Sequence, residues 1–124
     1  MLVLAATDPA QPYGAALAWP RGAEDERLPL QRAAGAYVVI VDGQAALYLE
    51  RGGRSLLSLP AATDDEVRDR AVAALPSLVA QGGPMRELRI ERVDRGPVGE
   101  SALAAALTSA GFRPSYRGYL IRRP

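Results

Sequence analysis

The chain contains no cysteine, histidine, lysine or asparagine, and these absences bound its chemistry. Without Cys or His there is no Ser–His or Cys–His nucleophile and no ordinary zinc or iron site. Nothing matches a GxxxxGK[ST] phosphate loop, which excludes an ATPase of that kind within this chain. All fifteen basic residues are arginine, and beside abundant Ala, Gly and Pro this is explained most simply by a GC-rich genome. No single arginine is therefore marked as functional by its type. Aromatic residues make up only 6% of the chain, so few large side chains exist to fill a core. No run approaches the roughly eighteen apolar residues of a membrane span. Met-Leu-Val-Leu-Ala-Ala has no basic n-region and is too short for a signal peptide. The expectation is a soluble, cytoplasmic protein with no membrane partner.

What is present is organised around residues 35–59, GAYVVIVDGQAALYLERGGRSLLSL. Asp42-Gly43 separates two β-branched and aromatic runs, the strongest short-range hairpin signal, because a type I′ turn needs φ > 0 at both central positions. Arg51-Gly52-Gly53-Arg54 reverses the chain again. The stretch predicts a three-stranded antiparallel meander at 36–59. At 124 residues the chain has the length of one domain, able to bury roughly two thirds of its unfolded surface.

Ahead of the meander, Leu2 to Ala6 reads as a short strand. Thr7 to Pro20 reads as a proline-rich loop pinned by Tyr13 and Trp19, and Arg21 to Arg32 as an exposed polar loop. Behind it, Thr63-Asp64-Asp65-Glu66 matches a capping box with Thr63 as N-cap. Val67, Ala71, Ala74, Leu75 and Leu78 then share one helical face, which Pro76 ends near Leu75. Residues 86–93, RELRIERV, read as one half-exposed strand. Ser101 to Ala110 reads as a second helix, closed by Gly111 in the left-handed region with Phe112 packing back. Tyr116 to Arg122 reads as a final strand. The expected fold is α+β: an antiparallel or mixed sheet of about five strands with two covering helices, in the order β-βββ-α-β-α-β.

Three stretches carry a resemblance when taken together: residues 5–20, AATDPAQPYGAALAWP; residues 34–57, AGAYVVIVDGQAALYLERGGRSLL; and residues 110–118, AGFRPSYRG. In this combination and order the chain resembles the extreme C-terminal segment of Lhr-type (large helicase-related) bacterial ATP-dependent DNA helicases. That region is similar to AlkZ-type DNA glycosylases. The resemblance implies that residues 1–124 are a single domain, the C-terminal module of a larger DNA-repair helicase. Its partners would be DNA, single-stranded or bound non-specifically, and the upstream motor and winged-helix domains of the parent. A homo-oligomer is an open alternative. No cofactor is expected for the chain itself; ATP and Mg would enter only through the parent's motor.

The candidate nucleic-acid contacts follow from residue type. Arg51, Gly52, Gly53 and Arg54 would set two guanidiniums around exposed glycine amides, suited to a phosphate, with a solvated turn as the plainer reading. Tyr13 and Trp19 would stack unpaired bases, or else fasten the proline-rich loop, the role favoured in so aromatic-poor a chain. Residues 1–100 carry eleven arginines against fourteen acids, whereas 101–124 carry Arg113, Arg117, Arg122 and Arg123 with no acid. Arg113 and Arg117 therefore join the candidates. Asp8, Asp42 and Glu50 are the carboxylates nearest the motifs. No spacing pairs them for acid–base work, and no catalytic residue is assigned. Three readings stand: a non-catalytic module for nucleic-acid engagement or domain assembly, part of a glycosylase-like site completed upstream, or a purely structural or oligomerisation module.

Overall fold

The computed structural model describes residues 2–13, 15 and 34–123. In chain order the elements are β1 (Leu2–Ala5), β2 (Tyr37–Val41), β3 (Gln44–Leu49), β4 (Ser55–Ser58), α1 (Asp65–Ala74), β5 (Glu87–Ile90), β6 (Arg92–Val93), β7 (Gly96–Pro97), α2 (Ala104–Ser109), β8 (Arg113–Ser115) and β9 (Gly118–Arg122). The fold is α+β, as expected, but the strands form two sheets. A six-stranded sheet runs β1-β2-β3-β4-β6-β7, with β4 and β6 parallel and the other neighbours antiparallel. A three-stranded antiparallel sheet runs β5-β9-β8.

The meander forms where the sequence places it. Val41 pairs with Gln44, leaving Asp42 and Gly43 as a two-residue loop at φ 51° and 81°. Positive φ at both positions is what a type I′ turn requires, and it matches the twist of the flanking strands. Val39 lies opposite Leu47 while Ile40 lies opposite Ala45, so Ala46 is the extra residue of a β-bulge. The bulge sets the neighbours Ala46 and Leu47 on one side. There they join Val39, Val41, Leu49 and Leu56 in the larger apolar cluster beneath the helices. Val38, Ile40, Tyr48 and Leu57 face the other way, into a second cluster with Tyr13. Burial on both faces explains why β2 and β3 read as continuous apolar runs rather than alternating ones.

Both helices end as the sequence indicates. α1 gives way to a 3-10 turn over Leu75–Leu78 that carries Pro76. After α2, Gly111 N–H donates to Thr108 and Phe112 N–H to Leu107, a Schellman motif with Gly111 at φ 104° and Phe112 buried. The N-cap of α1 is a correction. Asp64, not Thr63, accepts the Val67 N–H at 3.1 Å, because the Thr63 hydroxyl donates to the Pro60 carbonyl of the preceding 3-10 turn. α2 also starts later than Ser101, whose hydroxyl donates to the Val98 carbonyl.

Two strand expectations are revised. RELRIERV is broken at Glu91 into β5 and β6, which belong to different sheets. The Arg54 carbonyl causes the break by accepting both Glu91 N–H (2.8 Å) and Arg92 N–H (3.1 Å). The final strand is a hairpin, β8–β9, turning through Tyr116-Arg117. Gly118 makes that hairpin fit: a Cβ there would lie 2.2 Å from the Ile90 carbonyl oxygen. The expected polar loop at Arg21 to Arg32 and the anchor at Trp19 lie outside the described residues.

Candidate nucleic-acid interface

The Arg51–Arg54 turn is shaped by its glycines. Glu50 N–H donates to the Ser55 carbonyl at 2.9 Å and Gly53 N–H to the Glu50 carbonyl at 3.0 Å, with Gly52 and Gly53 at φ 92° and 73°. Gly52 is exposed, but Gly53 is buried, and a Cβ on it would meet Leu88 Cδ1 at 3.1 Å. The expected open pair of glycine amides is corrected accordingly: the Gly53 N–H is taken up inside the turn, so Gly52 alone is exposed there. Arg51 is exposed and lays its stem against Gly35, where a Cβ would stand 3.2 Å from Arg51 Cγ. Arg54 is 75% exposed and its Nε lies 3.5 Å from Glu91.

Because Arg54 ties the turn to the β5–β6 junction, two further arginines arrive beside it. Arg92 is exposed and sits opposite Ser55 on β6. Arg95 pairs with Glu50 at 3.4 Å. Asp94 and Arg95 form a second turn with φ 52° and 72°, both positive without glycine. The Asp94 carboxylate holds it by accepting the Ser58 N–H at 2.7 Å and the Ser58 hydroxyl. This end of the sheet carries Arg51, Arg54, Arg92 and Arg95 against Glu50 and Glu91.

Tyr13 does not face solvent. Its ring is 8% exposed, and its hydroxyl donates to the Gly43 carbonyl at 2.8 Å and accepts the Ala45 N–H at 3.2 Å. Gln11 supports the same loop from within, its side-chain amide donating to the Ala6 and Tyr13 carbonyls at 2.9 and 3.1 Å. The packing role therefore describes Tyr13, and burial removes it from any stacking surface. Trp19 lies outside the described residues.

The C-terminal arginines divide by role. Arg123 fastens the chain end: its Nη2 donates to the carbonyls of Gly83 (2.9 Å) and Met85 (2.8 Å), and its Nε to that of Val79 (3.3 Å). Arg122 pairs with Glu87 at 3.3 Å and stays exposed. Arg113 and Arg117 are exposed, on β8 and at the β8–β9 tip. Residues directly opposite in antiparallel strands share a face. Leu120 pairs with Arg89 on one side and Arg113 on the other, and Glu87 pairs with Arg122. Leu88, Ile90, Tyr119 and Ile121 turn inward to the core cluster. The outer face of the small sheet thus presents Arg89, Arg113 and Arg122 around Leu120, with Glu87 as the acid in these paired rows. Sequence reading missed Arg89, Arg92, Arg95 and the exposed Tyr116. The alternation of RELRIERV pointed Arg89 outward, but its neighbours on that face come from residues far along the chain.

The carboxylates weighed for catalysis have structural employment. Asp8 accepts the Ala10 N–H at 2.8 Å, Asp42 pairs with Arg70 at 3.1 Å, and Glu50 accepts the Ser55 hydroxyl at 3.2 Å besides pairing with Arg95. Among the described residues no group of His, Cys, Asp and Glu is placed to hold a metal ion. No helix among them is long and apolar enough to cross a membrane.

No family model matches the chain. It is similar to a protein of Mycolicibacterium smegmatis named "Lhr helicase/ probable uracil glycosylase", at 44% identity over 98% of the chain. It is also similar to the "Lhr helicase/uracil glycosylase" of Escherichia coli, at 31% identity over 94% of the chain. The chain spans about 8% and 7% of the lengths of these two curated relatives. The similarity covers nearly the whole chain, and by it the chain is a C-terminal module of Lhr-type proteins.

Proposed function

We propose that this module engages nucleic acid without doing chemistry on it, as one part of a larger Lhr-type helicase. The observation that carries the reading is the outer face of the β5–β9–β8 sheet, where Arg89, Arg113 and Arg122 flank Leu120 and Glu87 is the acid beside them. Guanidiniums fixed on a rigid sheet suit phosphate oxygens and carry no base preference of their own. The Arg51–Arg95 end supplies a second, partly neutralised group. The relatives' names, helicase and uracil glycosylase, both denote action on nucleic acid, which supports polynucleotide as the polyanion. The parent's motor and winged-helix domains would be the module's partners, and ATP and Mg would belong to the motor.

A second reading, a share in a glycosylase site completed by upstream domains, draws on the word glycosylase in both names. Hydrolysis of a glycosidic bond needs a carboxylate free to protonate, to activate water or to stabilise oxocarbenium charge. Asp8, Asp42 and Glu50 are each held by main-chain or arginine partners, which favours engagement over chemistry. Incubating the chain with a uracil-containing single strand and duplex separates the two. Weak, salt-dependent, sequence-independent binding with no base release is expected. Release of uracil by this chain alone would overturn the non-catalytic reading.

A further inference from the structure

Among the described residues Tyr116 is the one large apolar side chain left in solvent, at 98% exposure. It stands at the tip of the β8–β9 hairpin beside exposed Arg117. The tip is not loosely held. Ser115 pairs with Gly118, the Ser115 hydroxyl donates to the Gly118 carbonyl at 3.0 Å, and Gly118 is pressed onto the Ile90–Glu91 backbone. The main chain that displays the ring is thus braced, so little backbone ordering remains to be done when the ring meets a partner.

The small sheet that carries the tip is basic and grooved. At the end of the sheet away from the tip, a groove of about 470 Å³ is lined by Gly111, Arg113, Leu120, Ile121 and Arg122, and a second of about 690 Å³ by Arg86, Glu87, Arg122 and Arg123; Arg122 belongs to both. On the outer face, opposite Leu120, the Arg89 Nε is enclosed and makes no hydrogen bond. Basic surface combined with exposed aromatic rings is how proteins hold unpaired strands: phosphates track the arginines while a base stacks on the ring. A duplex keeps its bases stacked on one another and offers the ring nothing comparable.

We infer that the outer face of the β5–β9–β8 sheet is a track for a single-stranded polynucleotide, with Arg113 and Arg122 on its phosphates and one unpaired base stacked on Tyr116. This rests on the engagement reading above and names its ligand class and its stacking residue. Charge complementarity commits the face to a polyanion, and the solvent-facing ring selects a polyanion that carries bases over an acidic peptide.

The test uses the whole 124-residue chain and a labelled oligothymidylate of about 15 nucleotides, within the site sizes of sheet-based single-strand binders. Tyr116→Ala should weaken binding about tenfold or more, because stacking on one aromatic ring is lost. Tyr116→Phe should bind as the unaltered chain does. The affinity for a duplex of equal length should be the same in all three. Since the ring touches solvent almost entirely, the Ala variant should keep its melting temperature, which confirms that binding and not folding is read. If the unaltered chain binds the oligonucleotide and Tyr116→Ala binds it equally well, the stacking track is wrong while the engagement reading survives. Equal affinity for polyglutamate would overturn the track in favour of an acidic-protein surface. Absence of all oligonucleotide binding by the unaltered chain would overturn both readings.

Discussion

The hydroxyl of Tyr13 reaches the carbonyl of Gly43 across 2.8 Å, thirty residues away in sequence, and accepts the N–H of Ala45 at 3.2 Å. The proline-rich loop is thereby bolted to the Asp42-Gly43 turn, next to the bulge at Ala46. Tyr13→Phe keeps the ring in its cluster and deletes only this clamp. Stability should fall by about 1–2 kcal/mol, the cost of leaving the buried Ala45 N–H unmatched. A urea midpoint equal to that of the unaltered chain would show that the hydroxyl contributes nothing.

Two glycines should respond differently for separate physical reasons. Gly43 sits at φ 81° with open space around it, so Gly43→Val meets only backbone strain and should cost on the order of 1 kcal/mol or more. Gly118→Ala drives a Cβ into the Ile90 carbonyl at 2.2 Å and must separate β9 from β5. It should cost on the order of 3 kcal/mol, among the larger single-site effects. Thermal melts of the two variants would refute this ordering if Gly118→Ala proved the milder.

Adjacent arginines should also part company. Arg123→Ala removes donors to the carbonyls of Val79, Gly83 and Met85, and should destabilise by about 2 kcal/mol or more. Arg122→Ala removes an exposed pair with Glu87 and should shift stability by less than about 1 kcal/mol, while weakening single-strand binding. Equal melting temperatures for the two variants would contradict the division of roles.

Local signals were legible wherever the physics was local. Asp42-Gly43 and Gly111-Phe112 declare their turns because few residue types tolerate the backbone conformation required. Pro76 ends α1 for the same kind of reason. The partition into two sheets was not legible. It depends on the Arg54 carbonyl capturing two amides at Glu91 and Arg92, a contact between segments more than thirty residues apart. The β8–β9 hairpin was hidden because Tyr116-Arg117 lacks turn-forming residues at its centre and relies on Gly118 fitting against Ile90. Thr63 and Asp64 are both good cap residues, and only the preceding 3-10 turn decides between them. The arginine face was half legible. Strand alternation turns Arg89 to the outer face, but its assembly with Arg113 and Arg122 needs the register of three strands.

The account rests on arginines meeting phosphate, and counterion release reads that contact directly. The measurement is the slope of log affinity against log salt for one short single strand, with the unaltered chain, Arg113→Ala/Arg122→Ala and Arg51→Ala/Arg54→Ala. Each phosphate contact on a single strand contributes about 0.7 to the slope, so the Arg113/Arg122 pair should flatten it by about 1.4. The Arg51/Arg54 pair lies outside the proposed track and should flatten it less; each pair includes one arginine that already faces an acid, Arg122 with Glu87 at 3.3 Å and Arg54 with Glu91 at 3.5 Å. Slopes that shift in this order, equally for all strand sequences, are the predicted result. Identical affinity and identical slope in all three proteins would contradict it.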